Sequence, residues 1–333
     1  IGYTTIEKKV NGNTVFEIVL KEDRQTLDEV VVVGYGVQKK KLVTGATSQV
    51  SSDDIMGLSS NGILGAMQSK VPGANITSTS GMPGSGQKVV LRGLGTVGNS
   101  EPLYVIDGFI GAGDLNLIDP NDIESIEILK DAAATSIYGS RGANGVIIVT
   151  TKRGSEGRND VTVNAYVGVQ QIAKRLEMLN AREYAVMLNQ QDVLSNQEPS
   201  IENPSVYGKG TDWQDEILRL AFMQNYQVAA SGGNKDGRYY LSLSMFDQDG
   251  VIKNSGIRRY QTRLNLDRKM RHNINIGANF QFSYTQREPN LVSLGGFDYQ
   301  SSALATPPTM NIYNEDGSYA SDSPSRVVSN DID

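Results

Sequence analysis

The sequence predicts an α+β plug-like unit followed by the first strands of a large antiparallel transmembrane β-barrel. Three observations predict it. Residues 119–154 read as a short helical turn, a strand at Ser125–Leu129, a small-residue helix at Asp131–Tyr138, a glycine turn and a strand at Gly145–Lys152. After Asp160, five stretches alternate apolar and polar side chains with period two, the pattern of strands with two unlike faces. An acidic-to-valine run, Asp28-Glu29-Val30-Val31-Val32-Val33, precedes both regions.

Composition narrows the function classes. The 333 residues leave room for two domains. A net charge of −6 supplies no basic field for nucleic acid. The absence of cysteine excludes disulfide and thiolate chemistry, and the single histidine, His272, argues against a histidine-rich metal site. No metal or cofactor is expected. Apolar runs such as Val30–Val33 and Val146–Val149 stop at four residues. A membrane helix needs about 20, whereas a barrel strand is apolar on one face only.

Along the chain, residues 1–24 read as a hairpin turning at Asn11-Gly12, and both ends of the sequence look cut. Residues 25–42 read as a linker holding the valine run, Gly34-Tyr35-Gly36 and Lys39-Lys40-Lys41. Residues 43–153 form the plug, with further strands at Ala74–Thr79, Lys88–Arg92 and Leu103–Asp107 and a helix at Gly62–Lys70. Asp53-Asp54 and Asp119-Pro120 are helix-start signals. From 154 to 333 the wall begins. Val161, Val163, Ala165, Val167 and Val169 share one face of its first strand; Leu241 and Leu243, Leu264 and Leu266, Ile276 and Phe280 repeat that pattern in later strands. The opposite faces carry amides and charges, which a soluble core would reject and an aqueous lumen accepts. A charge at Ser242 should therefore be tolerated where one at Leu243 is not. Short turns at Gly232–Gly237 and near Met270-Arg271 alternate with longer connections at 172–221 and 247–257, so the former read as periplasmic and the latter as external.

Few residues carry site chemistry. The valine run is β-branched, lies in a linker with no core to enter, and suits pairing with a partner strand. The glycine-rich stretches at 92–95 and 139–142 lack a phosphate-loop ending and read as turns. The carboxylates Asp119, Asp122, Glu124, Glu127 and Asp131 show no paired acid/base arrangement, so the chain does not read as an enzyme. Asp247–Gly250 reads as a hairpin end rather than a calcium loop. Tyr207 and Trp213 are candidates for a surface on which a sugar stacks, with ordinary loop packing as the alternative.

Five segments carry a family resemblance: Thr26–Gly36 (TLDEVVVVGYG), Leu103–Gly108 (LYVIDG), Asp119–Gly154, Thr211–Arg219 (TDWQDEILR) and Gln224–Gly233 (QNYQVAASGG). With them the chain resembles the SusC/RagA family of TonB-dependent outer-membrane transporters of Bacteroidetes. The resemblance implies a barrel of about 22 strands, of which this chain supplies the first few. It also implies that residues 1–24 end a carboxypeptidase-regulatory-like domain and that Asp28–Val33 overlaps a TonB-binding box. Implied partners are TonB with ExbB/ExbD, a SusD-like lipoprotein lid, outer-membrane lipid and a nutrient, without nucleic acid. The implied activity is active import of an oligosaccharide or oligopeptide. Alternatives are a receptor for an iron chelate, one with a signalling role, or a β-rich adhesion or scaffold protein that transports nothing.

Overall fold

The computed structural model describes residues 30–33, 36–39, 47–52, 62–68, 70–78, 80–91, 93, 100–111, 115–270, 274–288 and 299–320. The hairpin expected at 1–24, Asp28, Glu29, Asp53-Asp54 and His272 lie outside them. The valine run is not the unpaired linker expected from sequence. It forms β1 (Val30–Val33), antiparallel to β2 (Gly36–Lys39), with Val32 opposite Val37. Valine favours extended backbone, and the next extended segment is adjacent in sequence, so pairing costs little loop entropy. Among the described residues β2 is its one strand partner.

The plug is built on β3 (Thr47–Ser51), β6 (Leu103–Ile106), β7 (Phe109–Ile110), β8 (Ile123–Leu129) and β9 (Val146–Thr151), ordered β3-β8-β9-β6-β7. β4 (Ala74–Ser78) and β5 (Gln87–Leu91) form a separate hairpin. Ile147 and Val149 of β9 pack toward α1 (Gly62–Met67), touching the cluster of Ile63, Met67, Ile76 and Ile126. Val146 and Ile148 pack on the other face with Val105, Leu129 and Tyr138. A strand buried on both faces reads as a continuous apolar run, as Val146–Val149 does. Each such side chain contributes about 1.5–3 kcal/mol by leaving water. The single helix expected over 131–138 is broken: α2 (Ala132–Thr135) gives way to a 3-10 turn, Ser136–Gly142, kinked at Gly139 with φ 60°. Positive φ there favours glycine, because a Cβ would crowd the backbone.

The wall is a five-stranded antiparallel sheet in chain order: β10 (Asn159–Gln170), β11 (Ala221–Gly233), β12 (Gly237–Asp249), β13 (Gly256–Met270) and β14 (Ile274–Glu288). These strands run 12 to 15 residues, enough to cross a bilayer at a steep tilt. Val163, Val228, Leu243, Thr262 and Phe282 form one continuous cross-strand row. The burial is inverted relative to a soluble protein. Val163 is 67% exposed and Phe280 64%, whereas Gln227 and Asn265 on the opposite face are each 2% exposed.

The register also yields the slant of the apolar belt. On β10 the belt runs from Val161 to Val169; on β14 it runs from Ile274 to Tyr284. Followed through the pairing, its centre slides by about five residues, or ~17 Å at ~3.4 Å per residue, across four strand spacings of ~4.8 Å each. That slope puts the strands at about 40° to the belt normal, within the tilt of membrane barrels.

Connections follow local chemistry. In the β11–β12 turn the Asn234 side chain accepts hydrogen bonds from the backbone N–H groups of Asp236 and Gly237, both at 2.9 Å. The β12–β13 connection is shorter than the expected 247–257. Asp247 pairs with Arg258 at 3.1 Å and Asp249 with Arg219 at 3.3 Å, which keeps both acids in the strand and leaves 250–255 to turn. The long insertion after β10 folds α3 (Ala181–Leu194) and α4 (Trp213–Ile217), and α4 packs on α5 (Tyr299–Ala305). α3 starts at a reciprocal cap in which Asn180 accepts from Glu183 N and Glu183 from Asn180 N.

Between plug and wall the chain passes Gly154, where a Cβ would lie 2.3 Å from the carbonyl oxygens of both Gly232 and Tyr239. Both neighbours are backbone and cannot swing away. Gly154→Ala is expected to reduce the heat-modifiable, assembled fraction of the full-length protein on gels, while Ser155→Ala at the exposed next position leaves it unchanged.

Candidate functional site

The plug's polar end meets the wall's polar face. Asp119 caps the 3-10 turn Pro120–Asp122, accepting from Asn121 N at 2.8 Å, and so places Asp122 at the start of β8. Asp107 follows β6 with φ 48° and accepts from Thr151 N at 2.9 Å and Thr151 Oγ1 at 2.7 Å. β6 runs parallel to β9 and Ile123 pairs with Thr151. Three strand ends therefore deliver Asp107, Asp122 and Thr151 to one place.

The wall supplies complementary donors. Gln227 Nε2 donates to Asp122 Oδ1 at 2.6 Å and the Tyr240 hydroxyl donates to the same oxygen at 2.9 Å. Arg263 lies between the two carboxylates, Nη1 at 3.3 Å from Asp107 Oδ2 and Nε at 3.7 Å from Asp122 Oδ2. All three side chains are nearly excluded from solvent. Asn265 Nδ2 donates to Thr151 Oγ1 at 3.0 Å and to the Lys152 carbonyl at 2.8 Å. The Leu117 carbonyl accepts from Gln281 Nε2 at 2.6 Å and from Gln261 Nε2. At the rim, Arg153 pairs with Asp267 at 3.0 Å.

Two acids share one guanidinium, and burial pushes the Asp122 carboxyl up to about 6. The nearby charge of Asp119 adds to the rise; hydrogen bonds from Ser242 and Tyr240 and the charge of Arg263 oppose it. An unfolded chain would titrate this group near 3.8, so the docked plug holds the proton more tightly. Its contribution is present in full below about 4 and is lost as pH rises through about 6. Hydrogen exchange in β8 and β9, corrected for intrinsic rates, should report tighter docking at pH 5 than at pH 7, and Asp122→Asn should shrink that difference.

Chemically this interface is a set of directional bonds that water can replace one at a time. Asp122 is buried, and its carboxylate accepts from wall side chains. Among the described residues no group of His, Cys, Asp or Glu is arranged to hold a metal.

The structure treats the sequence-derived site residues differently. Val30, Val31, Val32 and Val33 lie in the β1–β2 hairpin. Tyr207 is half-buried after the 3-10 turn Pro204–Val206. Trp213 is no stacking platform: it is 3% exposed, packed with Ile217 and Ala303, and its Nε1 donates to the Pro307 carbonyl at 3.0 Å. An indole completes this small core because its apolar body is buried while its N–H stays satisfied. Ser242 faces inward as expected, but it is buried against the plug beside Asp122 rather than open to a lumen. Sequence reasoning missed Asp107, Asp122, Thr151 and Arg263 as one cluster. The available signal was Arg263, set between the amides Gln261 and Asn265 on the inward face of β13, and carboxylates directly flanking apolar strands.

Comparison with known proteins follows the same architecture. Residues 39–146 match the family model of the TonB-dependent receptor plug domain. TonB-dependent receptor P26 of Formosa agariphila is 40% identical over 96% of this chain and 32% of its own length. TonB-dependent receptor SusC of Bacteroides thetaiotaomicron is 34% identical over 96% of this chain and 32% of its own length. The RagAB peptide importer in its open-open state superimposes with a TM-score of 0.73 at 29% identity, covering 88% of this chain and 36% of that one. The chain thus spans about a third of the length of these relatives, which are receptors and an importer rather than enzymes. On a plug match, receptor relatives along nearly the whole chain and a RagAB-like arrangement of plug and wall, the chain belongs to the SusC/RagA family of TonB-dependent receptors.

Proposed function

We propose that the full-length protein actively imports an oligosaccharide or oligopeptide across the outer membrane. One observation carries this reading: a plug is held against the polar inner face of an inverted wall by water-replaceable bonds, while the apolar belt points outward. The belt faces lipid, the wall encloses the path, and the plug closes it. Relatives named SusC and RagAB support a SusD/RagB-like lipoprotein as the lid, and the peptide-importer title of RagAB supports an oligopeptide as one cargo. In this assignment residues 1–24 end a preceding domain, 25–42 are the coupling segment, 43–153 the plug and 154–333 the start of the barrel. The turn at 232–237 is periplasmic and the 172–221 insertion external.

Energy would enter at Asp28–Val33. TonB, driven by ExbB/ExbD, would add a strand to the edge of β1 not taken by β2, or open that hairpin and replace β2. Pulling on this segment transmits force to β3 and the plug sheet. Deleting residues 28–33 from the full-length protein is expected to abolish cargo accumulation by cells without lowering its outer-membrane level. Uptake at the wild-type rate by that deletion would remove the coupling role.

A further inference from the structure

We infer that the turn end of the wall binds the phosphate of one anionic phospholipid of the periplasmic leaflet. The inference rests on the reading of the apolar belt as lipid-facing and of the 232–237 turn as periplasmic. The outward row of β13 from Leu264 to Met270 is apolar except at Arg268. Leu266 and Met270 flank that residue along the strand, and Ile276 lies across from it on β14; all three are exposed. Its other cross-strand neighbour is Gly237, where a Cβ would lie 3.9 Å from Arg268 Cγ, so the arginine stem runs over bare backbone. A guanidinium among lipid tails is costly, and a long side chain lowers that cost by reaching to the headgroup level. Arg268 is exposed and makes no ion pair among the described residues.

A cavity of about 320 Å³ opens beside Arg268, lined by four cations and three carboxylates. Asp267 is held by Arg153 at 3.0 Å and by Arg238 at 3.8 Å. Lys235 and Lys269, like Arg268, form no ion pair among the described residues, and Glu156 and Asp236 are the remaining acids of the lining. The lining thus keeps one positive charge in excess, which a phosphodiester monoanion balances. A neutral donor stands beside these charges. Asn234 Oδ1 is committed to the N–H groups of Asp236 and Gly237, both at 2.9 Å, which leaves its Nδ2 as an oriented donor at the cavity. Arg268 offers a phosphate two parallel hydrogen bonds, the geometry guanidinium groups favour. At the far end of the same outward face stand Asp247, Asp249 and Glu288; Arg258 pairs with Asp247 and Arg219 with Asp249, so no surplus cation meets the other leaflet there. That asymmetry, with the apolar neighbours of Arg268, selects a lipid of one leaflet over a free phosphate.

Native mass spectrometry of the delipidated full-length protein in detergent would use dioleoylphosphatidylglycerol as the probe. Dioleoylphosphatidylcholine is the zwitterionic control, and inorganic phosphate the competitor. The wild type is expected to retain phosphatidylglycerol at several-fold lower lipid concentration than phosphatidylcholine, and equimolar inorganic phosphate should not displace it. Arg268→Leu with Lys235→Gln should weaken phosphatidylglycerol retention about tenfold or more, at about fivefold for each cation removed. Lys174→Gln, at an exposed position of the 172–221 insertion, should leave retention unchanged. Leucine continues the apolar row of β13, so the double variant is expected to stay heat-modifiable. Should it fail to assemble, Lys235→Gln alone, at an exposed turn residue, is expected to weaken retention about fivefold. Equal retention of the two lipids by the wild type, equal retention by wild type and variants, or displacement by equimolar phosphate would overturn the site. The topology beneath it is tested separately. Labelling of Asp236→Cys by an impermeant reagent on intact cells would overturn the periplasmic assignment alone, with the cation-dependent binding in detergent still standing.

Discussion

Replacing Leu243 by arginine is expected to block assembly of the wall. Leu243 lies in the middle row of the apolar belt, between Val228 and Thr262, and is 54% exposed. A cation at the midplane of a membrane barrel costs about 2–4 kcal/mol, and that cost must be met before later strands close the sheet. Asn279→Arg is the matched control. Asn279 pairs with Asn265, belongs to the inward set of β14, and is exposed, so its charge stays in an aqueous lumen. Heat-modifiability and outer-membrane yield of the full-length protein should fall sharply for Leu243→Arg and little for Asn279→Arg. Equal loss would mean the faces are exchanged, because a slip of one residue moves every side chain across the sheet. Ser242 cannot serve as the control, since an arginine there would displace the plug contacts around Asp122.

Arg263→Met should loosen the plug more than any other single change at the interface. Methionine keeps much of the volume and removes the charge, leaving Asp107 and Asp122 facing each other without their shared cation. Breaking a buried ion pair by removing one partner costs about 3–5 kcal/mol. Part of that cost should return in the double variant Arg263→Met with Asp122→Asn, because one uncompensated carboxylate is then gone. The measurement is hydrogen exchange in β8 and β9 of the full-length protein in detergent. Faster exchange in the single variant and partial recovery in the double variant are expected. Unchanged protection in the single variant would show that Gln227, Tyr240 and Asn265 hold the plug without the guanidinium.

The sequence by itself determined the elements whose pattern is local. Period-two alternation marks β10 to β14 and assigns their faces, because a pleated strand turns successive side chains to opposite sides whatever lies beyond. The four-residue run Val146–Val149 marks the central plug strand, since burial on both faces leaves no polar position to interrupt it. The reciprocal Asn180/Glu183 cap is also local, although by alternation alone the 172–221 insertion reads as a long connection. Other features are set by which segments meet. Val30–Val33 has the same composition whether it is free or paired with Gly36–Lys39. Trp213 is identical in sequence as a platform or as a core residue; α5, more than eighty residues later, decides which. Asp107, Asp122 and Thr151 are scattered along the chain, and only the parallel β6–β9 pairing and the antiparallel β8–β9 pairing bring them to one edge, opposite Arg263. Whether an inward polar residue of the wall meets water or the plug depends on that docking alone. Alternation specifies the face, and the tertiary structure specifies what the face touches.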